Sequence, residues 1–175
     1  RIACMAAFGR HVLAPLLPAF AARHPRLELE LLVVDRQVDV LKEDVDISVR
    51  YRDVLEPGMA VRQLAAVPRV LCASPAYLQA HGRPQTAQDL LDHACLLYRR
   101  EADGRFMRWP FSRDGKRVDP QLRVTAIASD VDALTEMAVA GGGIVWIGSF
   151  IAHRYMREGL LQPLVAGQGM DFDGA

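Results

Sequence analysis

The sequence predicts an α/β fold with largely parallel sheets, and three observations carry that expectation. Short apolar runs of strand length alternate with segments of helical period along most of the chain. Small or capping residues sit where each strand would turn into a helix, at "MAAFG" (5–9), "CASP" (72–75) and "IASD" (127–130). Glycine marks where helical segments stop, at Gly82 and at "GGG" (141–143).

The elements follow in order. "RIACM" (1–5) reads as a strand. Phe8, Val12, Leu13, Leu16, Leu17 and Phe20 recur at helical spacing. Pro15 and Pro18 fall inside that span, so an irregular first part should precede a firmer helix. The helix has hardly any polar face between Val12 and Ala22, which calls for a cover beyond its own sheet, a partner subunit being the natural one. "LELELLVV" (27–34) alternates as a strand does, "RQVDVLKED" (36–44) reads as a short helix and "DISVRY" (46–51) as a strand. A loop holding Glu56-Pro57-Gly58 leads to strands at "VRQL" (61–64) and "RVLCA" (69–73).

Ser74 is a good N-cap, with Pro75 at the first helical position and Gly82 as the left-handed stop. "TAQD" (86–89) has the form of a capping box, opening a helix to about Asp92, and "ACLLY" (94–98) is a strand. "FMRWPF" (106–111) and "QLRVTAI" (121–127) are expected to pair as a hairpin around "RDGK". Ser129 should cap a helix from Asp130 to Ala140. A strand "IVWI" (144–147), a helix "SFIAHRYMRE" (149–158) and "LLQPLV" (160–165) complete the pattern, followed by a tail without periodicity.

Bulk properties restrict the function. The chain has 175 residues, 51% of them apolar, and no run approaches the ~20 apolar residues of a membrane span. Lys+Arg and Asp+Glu both number 21, which argues against this segment holding nucleic acid by itself. The cysteines, Cys4, Cys72 and Cys95, are odd in number and sit in apolar runs, as reduced and buried thiols of a cytoplasmic protein do. Arg1 opens the chain inside a strand, without initiator Met or leader, so an excised or processed chain is expected.

No catalytic or metal constellation emerges, and no cofactor is expected. Ser74 lies at a strand-to-helix elbow, but its context is "CASPAY" rather than G-x-S-x-G, and no His or Asp is placed to activate it. Cys72 lies inside a strand, where burial suppresses the thiolate. His81, His93 and Cys95 match no zinc-site spacing. "AGGGIVWIG" follows a helix and precedes a strand, the reverse of the dinucleotide-binding order, and reads as a helix end with close packing. The three junctions remain, together with Arg50 at the end of "DISVR". Ligands of open α/β sheets sit outside the carboxyl ends of strands, so these residues suggest a cleft for a small molecule, an anionic one where Arg50 takes part.

Longer stretches carry a resemblance. "AFGRHVLAPLLPAFAARHPRLELELLVVDRQVDVLKEDVDISVRY", "RVLCASPAYLQAHGRPQTAQDLLDHACL", the later "WPF", "ASDVDALTEMAVAGGGIVWI" and "REGLLQPL" occur in the order of a known family. Together they resemble the effector-binding domain of LysR-type transcriptional regulators, from about Arg1 to Val165. The resemblance implies a two-lobed fold like type 2 periplasmic binding proteins, with lobe I at 1–71, lobe II at 72–165 and an irregular tail at 166–175. It implies a metabolite effector held between the lobes, and allosteric control of DNA through an N-terminal helix-turn-helix domain not present in this sequence. A homodimer or tetramer is implied too, with the helix from about Arg10 to Arg23 at the interface. By position, the effector would be bounded by Ala7, Phe8 and Gly9, by Arg50 and Tyr51, by Ala73 and Ser74, and by Ser129 and Asp130. An extracytoplasmic solute-binding protein of the same fold is the alternative.

The sequence departs from the family pattern at three places. Ser129 stands where Asn commonly precedes the Asp, and Gly148 where Pro is frequent. "MDFDGA" does not resemble the segment that returns to lobe I, so that return is expected to be missing.

Overall fold

The structure, a computed structural model, describes residues 1–51, 58–101, 103–109, 111–113, 116–118, 121–164 and 171–172. Glu56-Pro57, the Asp114-Gly115 centre of "RDGK", Val165 and most of the tail lie outside the described residues. The chain divides into two compact units, Arg1–Ala65 and Ala66–Ala175.

The first unit is built on a parallel sheet of order β2-β1-β3, from β1 (Ile2–Cys4), β2 (Leu31–Val33) and β3 (Ile47–Val49). Its core gathers Ala3, Val38 and Val45, with Leu32, Val34 and Val40 packed against them. After β1 the chain runs through α1 (Ala6–Phe8), a π-helical segment (Gly9–Leu13) and α2 (Ala14–Arg23). The irregularity expected from the prolines is thus a π turn, closed by Ala14 N–H on the Gly9 carbonyl. Widening the helix just ahead of Pro15 moves aside the carbonyl that its ring would otherwise strike. None of the residues of α2 is buried, and Leu16 is 60% exposed.

Two expectations in this unit fail. Residues 36–44 form no helix, and a turn spans only 40–44. Asp39 Oδ1 accepts the Lys42 N–H at 3.1 Å, and Asp44 adopts φ 50°, which ends the turn after one cycle. "VRQL" is not a strand. Its Val61 and Leu64 are 59% and 69% exposed, and no strand pairs with it among the described residues.

The second unit centres on a five-stranded sheet of order β10-β4-β9-β5-β8. Its members are β4 (Arg69–Ala73), β5 (Cys95–Tyr98), β8 (Val124–Ala128), β9 (Ile144–Gly148) and β10 (Gln162–Pro163). β5 runs parallel to β8 and β9, whereas β4 is antiparallel to β9 and β10. Alternate residues feed two faces. Leu71, Ala73, Cys95, Leu97 and Ile144 join one core cluster, while Cys72, Leu96, Val145 and Ile147 are buried outside it. Both faces of these strands are covered, which explains why they read as unbroken apolar runs.

Helices α3 (Pro75–His81), α4 (Val131–Val139) and α5 (Ser149–Arg157) belong to this unit, with a 3-10 turn at Ala87–Leu91. Ser74 caps α3 as expected, and Gly82 ends it at φ 78°. Thr86 and Asp89 form the complete capping box. Gly143 is required by close approach, since a Cβ there would lie 2.4 Å from the Ala94 carbonyl oxygen.

The expected hairpin is different. β6 (Phe111–Arg113) pairs with β7 (Lys116–Val118), closed by Arg113 opposite Lys116. The Asp-Gly dipeptide between them in sequence is what two-residue hairpin loops favour. The segment "QLRVTAI" instead supplies β8, and β11 (Asp171–Phe172), inside the tail, pairs with β6.

Candidate functional site

In the first unit the carboxyl ends of β1, β2 and β3 lie at one sheet edge, because all three strands are parallel and Cys4 is level with Val33 and Val49. Arg50 follows β3 at this edge. Its Nε donates to Ser48 Oγ at 3.1 Å, and Nη1 donates to the carbonyls of Val34 at 3.3 Å and Arg36 at 3.2 Å. The guanidinium therefore ties the end of β3 to the segment that leaves β2. Its Nη2 is buried and has no hydrogen-bond partner. Burial lowers the Arg50 pKa from its ordinary value, against the supporting fields of Cys4, Asp35 and Glu43. Arg36 is held in turn by both carboxylate oxygens of Glu43, at 2.8 and 2.7 Å, which brings the Glu43 pKa down to about 2.

Asp35 was not singled out by the sequence, yet its Oδ1 accepts the Ala6 N–H at 2.9 Å, filling an opening donor of the helix after β1. An acidic residue directly after a strand parallel to β1 was the available signal. Ala7 and Gly9 are buried, whereas Phe8 and Tyr51 are half-buried. Gly9 serves packing. A Cβ there would lie 2.7 Å from Cys4 Sγ and 3.0 Å from a Val33 methyl carbon.

In the second unit the residues expected to act together are separated. Arg69 pairs with Gly148, and Tyr98 is level with Ala128, so Ser129 and Asp130 follow the edge that holds the start of β4. Ala73 and Ser74 lie at the other edge, with Ile144, Cys95 and Val124. The length of β4 places roughly 13 Å of strand between the two edges. The reason is direction: β4 runs against its neighbours, so its carboxyl end points away from theirs. Ser74 is buried, and its Oγ accepts the Tyr77 N–H at 3.3 Å as a helix cap.

The cap of α4 also differs from expectation. Asp130, not Ser129, accepts the Ala133 N–H, at 2.7 Å, because its carboxylate stands the right three residues ahead. Ser129 is left exposed at the end of β8. Arg69, which the sequence did not single out, lies over the Trp146 ring at 4.8 Å on the same edge. His93 and Cys95 have internal roles. His93 Nδ1 meets Tyr77 Oη at 3.2 Å, and the Cys95 thiol lies 3.5 Å from the His93 carbonyl. All three cysteines are free and buried. No described helix is long and apolar enough to cross a membrane.

Comparison with known proteins agrees with this architecture. The chain is 32% identical over 154 residues to an uncharacterized HTH-type transcriptional regulator of Haemophilus influenzae, covering 88% of this chain and 53% of that protein. It is 30% identical over 161 residues to the HTH-type transcriptional regulator CrgA of Neisseria meningitidis, covering 92% and 53%. The solved structure of CrgA, a LysR-type transcriptional regulator, superposes with a TM-score of 0.81 at 29% identity over 97% of this chain and 57% of that one. The CrgA regulatory domain gives 0.79 at 29% identity, covering 97% of this chain and 82% of that domain. The chain thus spans about half the length of the regulators it matches, 53% in both cases, and most of a regulatory domain. The α/β fold is that of LysR regulatory domains, the periplasmic-binding-protein-like class that the resemblance implied. The model of the LysR substrate binding domain matches residues 1–173, and the chain belongs to that family.

Proposed function

We propose that this chain is the effector-sensing domain of a LysR-type transcriptional regulator, and that it works by binding rather than by catalysis. The observation that carries the reading to a site is the buried, unpartnered Nη2 of Arg50 at the carboxyl edge of a parallel sheet. A buried donor without a partner costs about 1–3 kcal/mol, a cost that an effector carrying a carboxylate or carbonyl oxygen would relieve. In the first unit we assign Phe8, Arg50 and Tyr51 to effector recognition, and in the second Ser129 and Asp130. Ala7 and Gly9 support the first group by packing. Ala73 and Ser74 we leave to the fold. The effector would favour one conformation and shift its population by the difference in affinity, which an attached DNA-binding domain in the cytoplasm would read out. A second copy of the chain on the apolar face of α2 would give the homodimer. The solute-binding alternative has no counterpart among the relatives described above.

A thermal-shift screen against small carboxylates, aromatic acids, amino acids and quinones tests the reading. Native-state binding at a hundredfold excess over Kd stabilises by about 2.7 kcal/mol. The expected result is a selective hit that is lost in Ser129→Phe and weakened in Arg50→Gln, both variants melting cooperatively. A hit indifferent to both variants would overturn the assignment.

A further inference from the structure

We propose that the second unit carries a separate apolar pocket for a small aromatic carboxylate, away from the residues assigned above. A cavity of about 210 Å³ opens beside β5 and β8, with Leu97 and Val124 contributed by the strands. Leu122 and the segment Phe106–Trp109 complete its lining. Leu97 and Trp109 belong to the core cluster and Leu122 packs against it, so the base of the pocket is fixed by the fold. Phe106 and Val124 are 47% and 41% exposed, so the entrance faces solvent.

Size and lining choose the ligand. A dry apolar cavity of about 150 Å³ suffices for benzene in another protein, so this one has room for a ring with a substituent. The aromatic side chains of Phe106 and Trp109 offer edge or offset contacts to such a ring. Charge chooses the substituent. Arg108 lines the pocket itself, and a guanidinium prefers a planar carboxylate. A neutral aromatic molecule would fill the same space without a charge-assisted contact to that guanidinium.

The chain has two tryptophans, Trp109 and Trp146, so Trp146→Phe leaves Trp109 as the reporter inside the pocket. Titration of that variant with benzoate should give a saturable change in Trp109 fluorescence, with benzyl alcohol binding roughly tenfold more weakly. Adding Arg108→Gln should remove most of that preference. Adding Val124→Phe, an edge-strand change that fills the pocket, should abolish the response, and Phe106→Ala should weaken it. Adding Ser129→Phe should leave it unchanged. Circular dichroism checks that each variant folds. The proposal is overturned by a folded protein that shows no saturable response to benzoate. It is equally overturned if the response survives Val124→Phe but is lost in Ser129→Phe, since the ligand would then belong to the strand-edge residues.

Discussion

Tyr77 Oη lies 3.2 Å from Nδ1 of His93 and accepts the Ala94 N–H at 2.8 Å. With the ring proton on Nε2 the hydroxyl donates to Nδ1, and with it on Nδ1 the ring donates to the hydroxyl, so either neutral tautomer makes the contact. This relay joins α3 to the start of β5 inside the second unit.

The relay sets a pH dependence. Burial lowers the His93 pKa below its ordinary 6.5, His81 adds to the shift, and Asp89 and Asp92 oppose it. Between the folded value and 6.5 the unfolded chain binds more protons than the folded one. Stability should therefore fall as pH drops through that window and level off below it. Urea unfolding from about pH 7.5 to about pH 5 measures the slope, and His93→Gln should flatten it. An unchanged slope would mean that other groups govern this range.

Tyr77→Phe removes the hydroxyl and leaves the Ala94 N–H and His93 Nδ1 without their partner. The expected loss is about 1–3 kcal/mol of unfolding free energy. A change within a few tenths would show that water replaces the hydroxyl.

Gly9 and Cys4 should be coupled. Gly9→Ala places a Cβ 2.7 Å from Cys4 Sγ and should destabilise the first unit by about 1–3 kcal/mol. Cys4→Ala removes the sulfur, so the double variant should recover part of that loss in a double-mutant cycle. Additive losses would place the clash on Val33 instead.

Asp130→Ala should cost about 1 kcal/mol, as the loss of an N-cap does, whereas Ser129→Ala should change unfolding very little. The two adjacent residues differ in their part in stability: Asp130 caps α4 through Oδ1, whereas Ser129 is exposed at the end of β8. Equal losses would show that Ser129 shares the cap.

Thiol reactivity should report opening of the fold. Burial pushes the Cys72 thiol up to about 12, and Cys95 is likewise pushed up to about 12 by burial, against the opposing effect of Arg123. Cys4 is also raised, chiefly by burial. At pH 8 the thiolate of Cys72 or Cys95 is on the order of one part in ten thousand. A disulfide reagent such as DTNB should leave the native chain unmodified and modify all three cysteines in guanidinium chloride. Rapid labelling of the native chain would identify a thiol less buried than this.

What the sequence determined by itself is local. The apolar period placed β1, β4, β5 and β9. The caps at Ser74 and at Thr86 with Asp89, and the stop at Gly82, followed from side chains that reach only two or three residues along the chain. The prolines foretold an irregular helix start because their effect lies within one turn. Tertiary structure decided whatever depends on a distant partner. "VRQL" has strand-like residues but no strand beside it, and "QLRVTAI" left its expected hairpin for a parallel place beside β5. Ser74 and Ser129 look alike in sequence, each small and each at the end of a strand. The direction of β4 sends them to opposite edges of the sheet, and direction is set by pairing with β9, some seventy residues away. Likewise nothing near Arg50 announced a buried donor without a partner. That position arises only when the ends of β2 and β3 meet around its guanidinium.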